Sequence, residues 1–405
     1  MALEVIKKDG TVEGWNGEKI KEAVYKAAAR VNQYVEPDVL NKLVEKVHSC
    51  LIIDRDAPTK DLHKEVIYYL KYFGLTDVAN SYQEYRDYKN TYAKSFEKVK
   101  DEADNVLLLG DRENANFDSS LVSTKGSLIK GYLTKELYRQ FYLSKEEKEL
   151  TKRGDIYIHD MRDMLMGSVN CCLFDIGNVL RGGFSMSNVD YTEPTSVLSA
   201  LQVIGDITLV ATAQQFGGFS LSQLDMVLLP YCHKTLEKAY EHAKHSFPNE
   251  GRFAWIAYSK DTLKNELKQG FQSLELKLNT VPCSRGDFAF TTISFGCWNA
   301  PQWLGRYLTN KDLWILKEIC EAILTTRMNG HGENHKPVVF PKLVYLYEEN
   351  YLSAFQEARD VFELAIECSS KCMYPDFLSL TGDWAHSSVG KQYMENKQVV
   401  TPMGA

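Results

Sequence analysis

The order of apolar and polar positions divides the first hundred residues into a short hairpin and a series of amphipathic helices. Two strand-like runs, 3–7 and 11–15, flank an Asp-Gly step, which is a strong signal for a tight β-hairpin. Asn16, a favoured N-cap residue, precedes a run with helical periodicity over 17–31. The pattern predicts three further amphipathic helices, which begin near Pro37, Thr59 and Thr76. We therefore expect a mainly helical N-terminal domain that carries one β-hairpin.

After residue 113, strand-like and helical runs alternate along the chain. The strand-like runs are 156–160, 170–176, 288–295 and 338–347, and the clearest helical runs are 196–215 and 311–328. This alternation predicts an α/β fold. Residues 96–112 are mixed in charge and only weakly periodic, so we interpret them as a linker with some helical character.

The composition is that of an ordinary globular protein and argues against several functional classes. A chain of 405 residues suits two domains. The net charge of -7 offers no basic stripe of the kind that binds nucleic acid. Nine irregularly spaced cysteines fit a reducing compartment better than a disulfide framework. The sequence shows no signal peptide and no apolar run of the roughly 18 residues that span a bilayer, so we expect a cytoplasmic protein without a membrane segment.

Two adjacent cysteines, Cys171 and Cys172, lie within the strand-like run 170–176. Neighbouring residues of a strand point to opposite faces, so one sulfur could reach a cavity while the other packs behind it. Free cysteine is also among the most buried residue types. From the pair alone, two buried structural cysteines are the commoner interpretation.

The N-terminal hairpin carries lysines where it meets a helix N-terminus, which could form a cradle for a polyphosphate; a solvated lysine-bearing surface is the alternative. The runs V-I-K-K-D-G-x-V-E-x-W-N-x-E-K-I, T-K-D-L-H and V-A-x-x-Y-x-x-Y-R resemble the ATP-cone, a regulatory nucleotide domain of many ribonucleotide reductases. By that match, ATP or dATP would be held by Lys7, Lys8, Glu13, Asn16, Lys19, Ile20, Thr59 and His63.

Six motifs in the rest of the chain resemble the anaerobic, class III ribonucleoside-triphosphate reductases. They are E-N-A-N-x-D-S, I-Y-I-H-D, N-C-C-L-F-D-I-G-N-V-L-x-G-G-F, Q-Q-F-G-G-F, P-V-V-F-P-K-L-V and C-S-S-K-C-M-Y-P-D, in that order between residues 113 and 376. The resemblance implies a ten-stranded α/β barrel of the glycyl-radical and ribonucleotide reductase type. It divides the chain into an ATP-cone at 1–95, a linker at 96–112 and the N-terminal part of the barrel at 113–405.

The resemblance also implies a chemistry and a set of residues that perform it. Ribonucleoside triphosphates would be reduced to deoxyribonucleotides for DNA synthesis by thiyl and glycyl radical chemistry, with formate as reductant, and ATP or dATP would control the reaction. Cys171 would be the thiol on the second face of the sugar, and Asn170 and His159 would be candidates for substrate contact. For His159, a strand-end histidine bonded to backbone is the alternative.

Further expectations concern partners and what lies outside this sequence. Glu193 and Asp206 fall where the family binds its specificity effector at a helix-mediated homodimer interface; a packing helix is the alternative. A radical-SAM enzyme would activate the protein. The family's thiyl cysteine follows Met-Gly, but this chain reads Met403-Gly404-Ala405. We therefore expect a truncated or split chain, inactive alone, with the glycyl radical and zinc in a missing C-terminal half or second chain.

No metal site is predicted within the chain, because the two spacings that suggest one have simpler interpretations. Cys368 and Cys372 could share a helix face and pack, and His331 and His335 lie in a glycine-broken loop. Two rival functions remain at this point. One is a non-catalytic regulatory fragment that binds ATP or dATP, and the other is an enzyme of a different glycyl-radical reaction, such as acyl cleavage.

Overall fold

The computed structural model of the chain describes residues 4–6, 11–53, 59–108, 118–167, 169–186, 188–215, 217–283, 286–298 and 305–382. The chain divides into two compact units, Met1–Asp101 and Glu102–Ala405. Among the helices of these residues, none is long and apolar enough to cross a membrane.

The first unit is a β-hairpin followed by four helices. Strands β1 (Glu4–Ile6) and β2 (Val12–Gly14) pair antiparallel, and the helices are α1 (Gly17–Arg30), α2 (Pro37–Ile53), α3 (Thr59–Tyr72) and α4 (Thr76–Leu108). The Asn16 side chain accepts a hydrogen bond from the Glu18 backbone N–H and so caps α1. Fully buried apolar side chains from all four helices form the core, among them Val24, Leu43, Val66 and Val78. The predicted hairpin and mainly helical domain are confirmed.

The second unit is built on a five-stranded sheet in which every neighbouring pair is parallel. The strand order is β3-β6-β7-β8-β9, formed by Cys172–Phe174, Phe219–Leu221, Thr291–Phe295, Lys342–Tyr347 and Asp376–Ser379. Strands β4 (Phe184–Met186) and β5 (Val189–Tyr191) form a separate antiparallel pair. The predicted α/β fold is confirmed, and the described residues form a sheet with five of the ten strands expected of the barrel.

Helices connect the strands and cover the sheet. They are α5 (Val122–Leu137), α6 (Lys145–Arg153), α7 (Ile176–Leu180), α8 (Val197–Thr212), α9 (Leu224–Ser246), α10 (Arg252–Thr280), α11 (Asn310–Asn329), α12 (Glu349–Ala354) and α13 (Gln356–Cys372). All five residues of β7 are buried, as expected for a central strand of a parallel sheet that is covered on both faces. The main core contains side chains of the strands and of α8 to α11 and α13, including Phe219, Ile293 and Leu316.

The strand predicted at 156–160 is wrong. Residues Ile156, Tyr157 and Ile158 adopt no regular structure, and Asp160 turns the chain with a φ of 48°. The alternating pattern requires one buried face, but Ile156 is exposed and Tyr157 is 85% exposed. Without a buried face, the alternation alone does not produce a strand. Farther back, residues 96–108 of the predicted linker continue helix α4.

Candidate functional site

The candidate catalytic thiol, Cys171, lies directly before the edge strand β3 and is partly exposed. Its sulfur accepts a hydrogen bond from the Gly218 backbone N–H at 3.3 Å and donates to Asn170 Oδ1 at 3.4 Å. The next residue, Cys172, begins the strand and packs against the main core. Burial raises the pKa of the Cys172 thiol. The two neighbouring sulfurs therefore have different surroundings, and Cys171 is the one held by polar groups.

A close approach of two backbone segments forms the site around this sulfur. The Gly217 N–H donates to the Asn170 carbonyl at 2.6 Å, and the Cys172 N–H donates to the Gly218 carbonyl at 3.0 Å. A Cβ atom on Gly217 would lie 2.5 Å from the Cys171 sulfur and 2.6 Å from the Asn170 carbonyl oxygen. Only glycine fits here, because any side chain would overlap both atoms.

A polar cavity of about 380 Å³ lies beside this segment. One face of α5 lines it, together with the turn after α6 and the residues that precede β6; the lining includes Ser127, Lys130, Thr134, Arg162, Gln214 and Gln215. Arg162 Nε donates to Asp163 Oδ2 at 3.1 Å, and both residues line the cavity. Lys130 and Arg162 supply positive charge of the kind that binds phosphate groups.

Gln215 joins the cavity to the thiol. Its amide nitrogen donates to the carbonyl oxygens of Gly217 and Gly218, the residue whose N–H contacts Cys171. Sequence reasoning did not single out Gln215, Lys130 or Arg162. The motif Q-Q-F-G-G-F could have indicated Gln215, because it places a glutamine two positions before the glycine pair.

The structure places His159 apart from this group. The residue lies in a turn with its side chain 69% exposed, and its Nε2 is 3.0 Å from Asp160 Oδ2. His159 does not line the cavity, whereas Arg162 and Asp163 do. Its place on a strand, on which the prediction of substrate contact depended, is therefore wrong, and its role stays a prediction.

In the first unit, the junction of hairpin and α1 brings several predicted nucleotide contacts together. Lys19 forms an ion pair with Glu13, Asn16 caps the same helix and Ile20 is buried in the core. These residues lie where the free N–H groups of α1 begin, a position that favours anions. Lys7 and Lys8 lie outside the described residues.

Thr59 and His63 belong to α3 of the same unit. The Nδ1 atom of His63 is 2.6 Å from the hydroxyl of Tyr82 on α4. Burial raises the pKa of Tyr82, while Arg86 opposes that shift. His63 is thus fixed by a buried hydroxyl, which orients its ring.

The two candidate effector residues have separate ion pairs. Glu193 pairs with Lys234, whose hydrogen bond lowers the pKa of the carboxyl group. Asp206 Oδ1 is 2.5 Å from Lys277 Nζ, an ion pair between α8 and α10. Helix α8 begins at Val197, and with about 3.6 residues per turn Asp206 lies more than two turns into it. Glu193 precedes this helix.

The described part of the chain contains no group of three His, Cys, Asp or Glu side chains that could hold a metal ion. His331 Nε2 is instead 2.8 Å from Glu275 Oε2, and Glu275 also accepts a hydrogen bond from the buried Arg327. Cys368 is buried in the main core.

Comparison with known proteins identifies the family of this chain. Residues 113–405 match the family model described as anaerobic ribonucleoside-triphosphate reductase, which is well over half of the chain. The chain belongs to this reductase family. Residues 3–91 match the ATP cone domain.

Relatives of this reductase chain include two curated proteins. The anaerobic ribonucleoside-triphosphate reductase of Haemophilus influenzae is 30% identical over 393 residues, which cover 93% of this chain and 52% of that protein. The enzyme of the same name from Enterobacteria phage T4 is 31% identical over 294 residues, covering 72% of this chain and 44% of that protein. The chain thus spans about half the length of the curated relatives it matches.

Among solved structures, the anaerobic ribonucleotide reductase of Thermotoga maritima in complex with dATP and CTP superposes on this chain with a TM-score of 0.47. The sequence identity is 16%, and the superposition covers 74% of this chain and 50% of that chain.

Proposed function

We propose that the protein formed by this chain reduces ribonucleoside triphosphates to 2′-deoxyribonucleoside triphosphates under anaerobic conditions, as DNA precursors. The observation that carries the proposal is the partly exposed Cys171 sulfur, held by Asn170 and Gly218. Gly218 is bonded in turn by Gln215, which lines the polar cavity together with Lys130 and Arg162. With formate as reductant the reaction balances: ribonucleotide, formate and a proton give deoxyribonucleotide, carbon dioxide and water.

Replacement of a ribose hydroxyl by hydrogen is radical chemistry, which the glycyl radical and thiyl group of the family would make possible. The residues of this chain would bind and orient. Lys130 and Arg162 would hold triphosphate oxygens, and Asn170 would accept a hydrogen bond from the Cys171 S–H group and so hold the thiol in one orientation. No residue of this chain is assigned to the family's zinc.

The test is the loss of the thiol proposed to act on the second face of the sugar. In the enzyme assembled with the remainder of its polypeptide and its radical-SAM activating enzyme, Cys171→Ser should abolish turnover while ATP binding stays intact. Cys172→Ser is the matched control, because the neighbouring sulfur packs against the core instead. Turnover that survives in Cys171→Ser would show that this sulfur is not the thiol that acts on the second face of the sugar.

We further propose that ATP activates and dATP inhibits through the first unit. Support comes from the ATP cone match and from the polar side chains at the start of α1. The double variant Lys7→Ala with Lys19→Ala should remove the rise in melting temperature that ATP causes. The pair Lys21→Ala with Lys26→Ala removes the same charge from α1 outside the motif and should keep the rise. Equal shifts in both double variants would contradict this assignment.

The family's dimer and effector site are proposed for α8 and α10. Val210 of α8 and Leu276 of α10, which stand close in sequence to Asp206 and Lys277, are 41% and 55% exposed, so both helices offer apolar area to a second copy. Sedimentation should show a dimer that Val210→Glu with Leu276→Glu converts to monomer. An unchanged sedimentation coefficient would exclude Val210 and Leu276 from the interface.

A further inference from the structure

Gln215 is the side chain that connects the cavity with the backbone around Cys171. It is 3% exposed, and its amide nitrogen donates to the Gly217 carbonyl at 3.0 Å and to the Gly218 carbonyl at 2.7 Å. An amide NH₂ has two hydrogens, so one nitrogen can hold two consecutive carbonyl groups. Val169 and Gln215 also form an isolated parallel bridge, which brings the two backbone segments together.

The planarity of the peptide bond transmits this contact to the sulfur. The Gly217 carbonyl and the Gly218 N–H belong to one peptide unit, in which a trans arrangement points them in opposite directions. A donor that fixes the carbonyl end on one side therefore aims the N–H end at the Cys171 sulfur on the other side, at 3.3 Å. Glycine on both sides of this unit permits many backbone conformations. The bonds of the Gly217 N–H to Asn170 and of the Gly218 carbonyl to Cys172 hold its flanks, and Gln215 holds the carbonyl of the unit itself.

We propose that Gln215 is a positioning residue for Cys171: it fixes the Gly217–Gly218 peptide plane so that the Gly218 N–H stays on the sulfur. The sulfur then has a donor and an acceptor in fixed directions, Gly218 N–H and Asn170 Oδ1. The proposal rests on the function proposed for Cys171, because a thiol that reacts with a substrate requires a defined orientation.

The first experiment uses Gln215→Met, which keeps the length of the side chain and removes its donor. The rate of carbamidomethylation by iodoacetamide is measured at Cys171 by peptide mass spectrometry and divided by the rate at Cys372, another partly exposed thiol. Loss of one buried hydrogen bond should raise the open population of the segment, and with it this ratio, about tenfold.

Gln223→Met is the matched control. Gln223 is 1% exposed and follows β6 at its other end, where its amide donates to the Cys297 carbonyl at 2.9 Å. A merely structural role of Gln215 would change the reactivity ratio equally in both variants, and that result would overturn the proposal. A rise in Gln215→Met alone supports it.

The second experiment detects whether Gln215 controls the contact between the Gly218 N–H and the Cys171 sulfur. In protein labelled with ¹⁵N-glycine, Cys171→Ala should shift the amide resonance of Gly218, and the shift should vanish in the Gln215→Met background. Failure of the two ideas can be told apart. If Cys171→Ser keeps turnover, the proposed function fails whatever the spectra show; if Cys171→Ser is inactive and Gly218 responds equally in both backgrounds, only the role of Gln215 fails.

Discussion

At Gly217 a single added methyl group should have a large local effect. A Cβ atom would meet the Cys171 sulfur and the Asn170 carbonyl oxygen at distances that real atoms do not tolerate, so the backbone must move. We expect Gly217→Ala to lower the free energy of unfolding by about 1–3 kcal/mol, as overpacking does. Urea denaturation measures this change.

Gly126 provides a control, for which the expected change in the free energy of unfolding has the opposite sign. It lies inside helix α5, and an added Cβ would meet nothing within 4 Å. Gly126→Ala should therefore raise the free energy of unfolding by up to about 1 kcal/mol, because alanine loses less backbone entropy in a helix. Equal effects of the two substitutions would show that the segment around Gly217 is not close-packed.

Asp225 is a fully buried carboxyl group at the start of α9. It accepts hydrogen bonds at 2.9 Å from the backbone N–H groups of Met226 and Gly296 and from the indole N–H of Trp298. Burial nevertheless raises the pKa of Asp225 to about 6, because it penalises the charged form more than these donors favour it.

The sign of the resulting pH dependence follows from linkage. A carboxyl group whose folded pKa lies above its unfolded value contributes stability at low pH, and this contribution is lost as the pH rises through the folded pKa. Between pH 7 and pH 5, the free energy of unfolding of the wild type should rise by about 1 kcal/mol relative to Asp225→Asn. Urea titrations of both proteins at the two pH values measure the difference. A constant or shrinking difference toward pH 5 would show that Asp225 stays ionised.

At the residue scale, the sequence singled out Cys171 as a candidate but did not indicate the groups that surround its sulfur. Cys171 stands in a run that resembles a known family, whereas the N–H group on its sulfur comes from Gly218, 47 positions later. The alternation of apolar residues carries no information about such long-range pairs. The cavity residues Lys130 and Arg162 stand in stretches that resemble ordinary charged surface, and only the packing of α5 beside the turn after α6 brings them together.

At the level of elements, a buried acidic cap holds the start of α11. Thr309 and Asp312 form a capping box, and Asp312 also accepts hydrogen bonds from Arg306 at 2.6 Å and from His233 at 2.6 Å. Burial alone would raise the pKa of Asp312, but the bonds from Arg306, Thr309 and His233 hold it below its usual value. The stability that this carboxylate contributes is therefore present above its unfolded pKa and is lost at lower pH.

Replacement of Asp312 measures how much this cap contributes to the free energy of unfolding. Asp312→Asn should lower the free energy of unfolding at pH 7 by about 2 kcal/mol, because charge-assisted bonds become neutral ones and one oxygen is lost. Helix α6 has a second capping box, Ser144 with Glu147, which is exposed to solvent. Glu147→Gln should have a much smaller effect on urea denaturation. Similar losses in both variants would mean that burial does not strengthen the cap.

The sequence predicted strands correctly where its apolar pattern matched the burial of the residues in the structure. The apolar run 288–295 contains strand β7, because a central strand of a parallel sheet needs apolar residues on both faces. The alternation at 156–160 failed for the opposite reason: the pattern is present, but nothing in the described residues buries either Ile156 or Tyr157. Strand β8 begins at Lys342, later than the predicted residue 338, directly after Pro341, which has no N–H to donate.

For the whole molecule, the division at Asp101 predicts that the first unit folds independently. Its core joins α1, α2, α3 and the first turns of α4, where Val78, Ala79 and Tyr82 are buried. Ser81 of α4 also donates a hydrogen bond to the Ala27 carbonyl at 3.0 Å. A polypeptide of residues 1–101 should therefore unfold cooperatively, with an enthalpy near the roughly 0.7 kcal/mol per residue of small domains.

Residues 1–75 lack α4, leave the apolar faces of the other helices uncovered and should show no cooperative transition. Thermal melts followed by circular dichroism compare the two polypeptides; a gradual melt of residues 1–101, or equal cooperativity in both, would show that α4 does not complete this core.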